Sequence, residues 1–167
     1  MVGNDWYNPF SFTRELFRCG DSGWPDEGCL DKVIDYLSRS KRCKGLPPPR
    51  KVLGYGSFGV VYSTTNKLWI LKITTDPEEV EALRRFSKSR YRKHFPKTLR
   101  IVKFYKEELW FIWKERCDLR ARARATHHLD KILPQEFKVD LHRSNVGWRQ
   151  GTNVPVFFDA RLNESFF

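Results

Sequence analysis

The stretch Lys51-Val-Leu-Gly-Tyr-Gly-Ser-Phe-Gly-Val-Val-Tyr62 constrains this chain more than any other, because three glycines spaced as GxGxxG are followed by β-branched residues. Where the same spacing opens a dinucleotide-binding βαβ unit, the last glycine leads into a helix. Here Val60, Val61 and Tyr62 continue as strand, a turn is expected near Asn66-Lys67, and Leu68-Trp-Ile-Leu-Lys-Ile73 resumes as a second strand. Gly54, Gly56 and Gly59 therefore read as a hairpin tip that keeps side chains out of the way, with Lys72 on the next strand.

At 167 residues the chain suits one compact domain better than two. The reading is α+β, with a helical extension and proline-rich connector over residues 1–49 and the body over 50–167. No apolar run approaches the roughly 18 residues needed to cross a bilayer. The start, Met1-Val-Gly-Asn-Asp-Trp-Tyr, lacks the basic and apolar regions of a secretory signal, so a cytoplasmic protein with no membrane partner is expected. Cys19, Cys29, Cys43 and Cys117 lack the close pairing of zinc ligands and read as buried thiols. The net charge of +11, with Lys and Arg dense over 84–106 and 116–124, favours a polyanionic partner. An acidic protein face or a nucleotide is preferred to nucleic acid, and a solvated basic surface is the plain alternative.

Leu30, Val33, Ile34 and Leu37 follow the i, i+3, i+4, i+7 rule and predict one amphipathic helix in the extension, packed on the body. Pro47-Pro48-Pro49 then reads as a stiff extended connector. Thr75-Asp76-Pro77-Glu78 carries a helix-start signal, with a capping residue, a first-turn proline and acids at the positive end of the dipole. That helix is expected to run to about Ser89, with Val80, Leu83 and Phe86 inward and Glu79 at the border. Strands are expected near 99–105 and 109–113, turning at Lys106-Glu107-Glu108. A helix should follow from Asp118 to about Leu133, stopped by Pro134.

Two further segments carry chemistry. Asp140-Leu-His-Arg-Ser-Asn145 places an acid and an amide five residues apart, and Val154-Pro-Val-Phe-Phe-Asp159 is an apolar strand ending in an acid, reached through a turn at Gln150-Gly-Thr-Asn153. With the glycine hairpin and Lys72 ahead of them, these segments resemble the protein-kinase superfamily from Val52 to Asp159. The short spacings are more similar to the minimal serine/threonine kinases of bacteriophages, or to small-molecule phosphotransferases, than to a eukaryotic protein kinase.

The resemblance implies a kinase-like N-lobe of antiparallel sheet plus helix, a strongly reduced C-lobe, and ATP and Mg2+ as cofactors. By position it makes Lys72 the phosphate-binding lysine and Glu79 its helix partner, with Glu81 as the fallback. It makes Asp140 the catalytic base, with His142 beside it, and Asn145 and Asp159 the metal ligands. Gly54, Gly56, Ser57, Gly59 and Val61 would cover the nucleotide. Glu115 and Cys117 would form the hinge at adenine, with Lys114 at the gatekeeper position.

Departures qualify the resemblance. Val139 stands where regulated kinases carry arginine, Ala160-Arg161 replace Phe-Gly, Ile70 replaces a small residue above adenine, and eight residues follow Asp159. Substrate docking would then fall to the extension, which would stand in for part of the lower lobe, to the basic helices, or to a second subunit in a homodimer. Three functions are weighed. One is phosphate transfer to a host protein. The second is a kinase-fold binding protein that inhibits an acidic or nucleic-acid-associated target. The third is a small-molecule kinase, for which the short segment between hinge and catalytic loop leaves little room for the helical insert that usually holds such substrates.

Overall fold

The computed structural model describes residues 27–56, 59–104 and 109–161. The architecture is α+β, with a five-stranded antiparallel sheet, a three-stranded sheet and, among the described residues, three α-helices. The chain divides into two compact units. The first draws on Met1–Asp76 and Arg100–Trp113, the second on Pro77–Leu99 and Lys114–Phe167.

In the first unit, β1 (Pro49–Gly56), β2 (Gly59–Thr64) and β3 (Trp69–Thr74) form successive antiparallel hairpins. The full sheet order is β1-β2-β3-β5-β4, where β4 is Thr98–Lys103 and β5 is Trp110–Glu115. The β2–β3 turn falls where expected: the Asn66 side chain accepts the Leu68 N–H at 3.0 Å, which closes the chain without any partner from elsewhere. Pro49 opens β1 rather than ending a connector, and β1 is an edge strand, where a missing N–H breaks no ladder bond. The turn expected at 106–108 lies outside the described residues.

Alternation along the strands sends Val60, Tyr62, Leu71, Ile73, Phe111 and Trp113 into one core. Helix α1 (Glu27–Arg39) covers it through Val33 and Leu37, both buried, with Leu30 and Tyr36 packed alongside. Each such fully buried aliphatic side chain contributes roughly 1.5–3 kcal/mol. The stripe follows the sequence reading through Leu30, Val33 and Leu37, with Ile34 and Tyr36 both half-buried; the Tyr36 ring lies 5.0 Å from Phe104 and stacks at 5.4 Å on Phe111. The helix therefore packs on this sheet, and the rest of the extension, residues 1–26, lies outside the described residues.

The second unit holds α2 (Pro77–Phe86), α3 (Arg122–Ile132) and a sheet ordered β6 (Cys117–Asp118), β7 (Val146–Arg149), β8 (Pro155–Phe157). Its core joins Ala82 and Phe86 of α2, Ala125 and Leu129 of α3, and Val146, Trp148 and Phe157 of the sheet, with Phe86 stacked 4.4 Å from Phe95. Helix α2 stops three residues early because serine hydroxyls take its last carbonyls. Ser87 Oγ donates to Arg84 O at 2.9 Å and Ser89 Oγ to Phe86 O at 2.9 Å. Helix α3 starts four residues late because Cys117 and Asp118 pair with Arg149 and Trp148, a long-range pairing that outweighs local helix preference. The Gly151 turn joins β7 to β8 with φ of +69°. Among the described residues no helix is long and apolar enough to cross a membrane.

Candidate functional site

The first unit aligns three of the expected residues in a single row. Gly54 is in register with Val61, and Val61 with Lys72, so the three sit side by side across β1, β2 and β3. Val60 and Tyr62, on either side of Val61, point into the core, so this row occupies the opposite face. Ile70 shares that face, two residues from Lys72, and both are half-buried.

The glycines of the hairpin differ in what they do. A Cβ on Gly54 would meet no atom within 4 Å, so the fold does not require glycine there. A Cβ on Gly59 would lie 2.2 Å from the Ile73 carbonyl oxygen, so close approach of β3 explains that glycine. Gly56 ends β1 opposite Gly59, and Ser57 lies outside the described residues.

In the second unit, α2 turns Glu79 inward, while Glu81 lies at the surface in an ion pair with Arg85 at 2.8 Å. One partner of Glu79 is Lys114, which the sequence marks only as a gatekeeper. Lys114 is 1% exposed, and its ammonium donates to Glu79 Oε1 at 3.0 Å and to Phe158 O at 2.9 Å. It also lies 3.7 Å from Asp159 Oδ1. Burial alone would lower the Lys114 pKa, but the charges of Glu79 and Asp159 outweigh it and hold the pKa above the ordinary value. A usable signal was present: Lys114 is a cation in the fully buried strand Trp110-Phe-Ile-Trp-Lys-Glu115, and buried lysines are nearly always paired.

Asp140 follows the turn after α3 with φ of +62°, a left-handed backbone that aspartate tolerates better than most residues. Its carboxylate is exposed yet held from both sides. Asn145 Nδ2 donates to Asp140 Oδ2 and to Asp140 O, each at 3.1 Å, and His142 Nε2 lies 3.3 Å from Oδ1. His142 Nδ1 accepts the Ser144 N–H at 3.3 Å, and His142 Nε2 sits between Asp140 Oδ1 at 3.3 Å and Asn145 Nδ2 at 3.0 Å, so the three side chains form one cluster. The result is a solvent-facing carboxylate with fixed direction, suited to receive a proton from a hydroxyl.

A backbone bond from Phe158 N–H to Asn145 O at 2.9 Å brings the end of β8 beside the turn that carries Asn145. Asp159 thus follows directly on a residue bonded to Asn145, and both side chains carry oxygens, the donor type a hard divalent cation such as Mg2+ takes. Among the described residues no three His, Cys, Asp or Glu side chains converge as a metal site, so any cation here would draw its remaining ligands from substrate and water.

The expected hinge is locked in place. Glu115 is buried and accepts both Arg149 Nε at 2.7 Å and Arg149 Nη2 at 3.1 Å. Its N–H donates to Lys97 O at 2.8 Å, and Lys97 N–H donates back to Glu115 Oε2 at 3.0 Å. Cys117 is half-buried in β6, and burial first, with the neighbouring Glu115 charge second, pushes its thiol up to about 12. Cys43 and Cys117 are both free thiols. No protein-family model matches the chain, and no curated protein matches it.

Proposed function

We propose that this protein is an ATP- and magnesium-dependent phosphotransferase, a minimal serine/threonine kinase of viral type that acts on a host protein in the cytoplasm. The observation that carries the reading is Asp140: an exposed carboxylate oriented by Asn145 and His142, at the spacing a kinase catalytic loop uses. The Gly54–Val61–Lys72 row supports it independently, since Gly54 leaves open a place the fold itself does not need.

In this reading Asp140 accepts the proton of the acceptor hydroxyl as its oxygen bonds to the γ-phosphorus and the bond to ADP breaks. Lys72 neutralises phosphate charge. Asp159 and Asn145 hold the cation, which supplies further charge neutralisation when bound. Gly54, Gly56 and Val61 cover the nucleotide, and Glu115 and Cys117 offer backbone groups to adenine. The basic surface receives an acidic protein substrate.

Thermal unfolding with ATP and Mg2+ tests this. A ligand at a hundredfold excess over its Kd stabilises the native state by about 2.7 kcal/mol, a shift of several degrees for a protein of this size. No shift at millimolar ATP would contradict the reading.

A second reading has its own support. Lys114 bridges Glu79 and Asp159, two acids a kinase needs for catalysis, and the chain carries a net charge of +11. These favour a kinase-fold binder of an acidic or nucleic-acid-associated target. Such a binder would act equally well after Asp140→Ala.

A further inference from the structure

We propose that the exposed face of α3 formed by Arg124, His127, His128 and Lys131 is a docking surface for an acidic peptide segment of the protein partner. The surface is argued from geometry, and that its occupant is a substrate rests on the phosphotransferase reading. The four residues stand at i, i+3, i+4 and i+7, so on an α-helix they share an arc of about 100°. All four are exposed, and the face turns away from Ala125 and Leu129, which are buried in the core of the second unit.

Two observations mark this face off from a solvated basic surface. The first is order. Arg124 and His128 both rest on the buried Trp148 ring, the guanidinium carbon 5.9 Å from its centroid and the imidazole edge-on with centroids 6.0 Å apart. A long side chain loses rotamer freedom when it binds a partner, and one already seated on an aromatic ring loses less. The second is that the neighbouring acids are engaged elsewhere: Asp118 pairs with Arg120 and Asp130 with Lys138, each at 3.1 Å. None of the four basic residues is in an ion pair with a described residue.

The face suits discrete carboxylates better than a phosphate backbone. Arg124 and Lys131 supply two fixed charges, and each imidazole donates a hydrogen bond in either protonation state. Helix steps of three or four residues space these groups by about 5–6 Å, close to the roughly 6.6 Å between alternate side chains of an extended peptide. Trp148, the aromatic beneath the face, is buried, so bases find no ring to stack on there. Lys138, two residues before Asp140, pairs with Asp130 of α3, which ties this helix to the segment that carries the proposed base.

The test is fluorescence anisotropy of a labelled peptide of alternating glutamate and serine, with the full native chain and with two doubly charge-reversed variants. Arg124→Glu with Lys131→Glu replaces two attractions by two repulsions and should weaken binding about tenfold. Lys41→Glu with Lys44→Glu changes the net charge equally at exposed positions of the first unit, and should leave the affinity within about twofold. A native chain that does not bind the peptide, or two variants that bind it equally well, would overturn the proposal. So would an oligothymidylate that binds the native chain more tightly than the peptide and is lost with the α3 reversals, which would assign the face to nucleic acid. The two claims fail separately: peptide docking on α3 without phosphate transfer by the native chain sinks only the phosphotransferase reading, and transfer by a chain whose α3 reversals leave peptide binding unchanged sinks only this one.

Discussion

Replacing Gly59 and Gly54 by alanine should separate the glycine that the fold needs from the glycine that a ligand needs. At Gly59 the new methyl would sit 2.2 Å from Ile73 O and 3.1 Å from Thr74 Cα, both backbone atoms of β3. Backbone in a paired strand cannot rotate away as a side-chain tip can, so β2 and β3 must separate locally. Overpacking of this kind costs about 1–3 kcal/mol, and a contact this short belongs at the upper end. At Gly54 nothing lies within 4 Å, so alanine should be neutral or should stabilise β1 by roughly 0.5–1 kcal/mol through reduced chain entropy. With a urea slope of about 1–3 kcal/mol per molar, the Gly59→Ala midpoint should fall by about 1 M and the Gly54→Ala midpoint should hold or rise. The functional effect should be reversed in severity, with Gly54→Ala weakening ATP binding while folding normally. Equal stability of the two variants would refute the geometric argument. Unchanged ATP affinity in Gly54→Ala would refute the ligand role of the row.

Arg149→Met should be among the more destabilising single changes in the second unit, because it leaves the buried Glu115 carboxylate without its bidentate partner. Removing one member of such a pair costs about 3–5 kcal/mol, whereas Arg149→Met with Glu115→Gln should cost clearly less, and thermal unfolding of the three proteins checks the order. Stability should also fall with acid through His94. Burial lowers its pKa below the ordinary 6.5, against a smaller opposing effect of its Nδ1 bond to Pro155 O. The unfolded chain then binds a proton that the native chain refuses, so stability is full above 6.5 and is lost as pH falls below it. His94→Asn should flatten that slope in a urea titration between pH 7 and pH 5.

The fold was legible where local chemistry decides it. The hairpins of β1 to β3, the start of α2 at Pro77 and the Gly151 turn follow from alternation, a capping sequence and turn residues that need no distant partner. The sequence misleads where long-range packing decides. Tyr36 of α1, outside the aliphatic stripe, packs on Phe104 and Phe111, which lie far along the chain, and Cys117-Asp118 became strand because β7 passes alongside. Within the site, the fixed spacing of Asp140, His142 and Asn145 kept them on one tight turn, so their meeting was readable. The bridge from Lys114 to Glu79 joins residues 35 apart in the chain, and only the unusual burial of a lysine in an aromatic strand hinted at it. Gly59 was read as a phosphate-facing glycine, yet its neighbour across β2 and β3 accounts for it.

The measurement that tests the central claim most directly is transfer of radiolabel from γ-labelled ATP, comparing the native chain with Asp140→Asn and Asp159→Asn. The native chain should transfer label to a serine- or threonine-containing acceptor in the presence of Mg2+. Asp140→Asn should lose transfer by several orders of magnitude while binding Mg-ATP nearly as before, since its carboxylate acts on the acceptor hydroxyl. Asp159→Asn should lose both transfer and magnesium-dependent ATP binding. Label transfer by folded Asp140→Asn at the native rate would contradict the account, as would a native chain that binds ATP and Mg2+ but labels neither itself nor any protein offered to it.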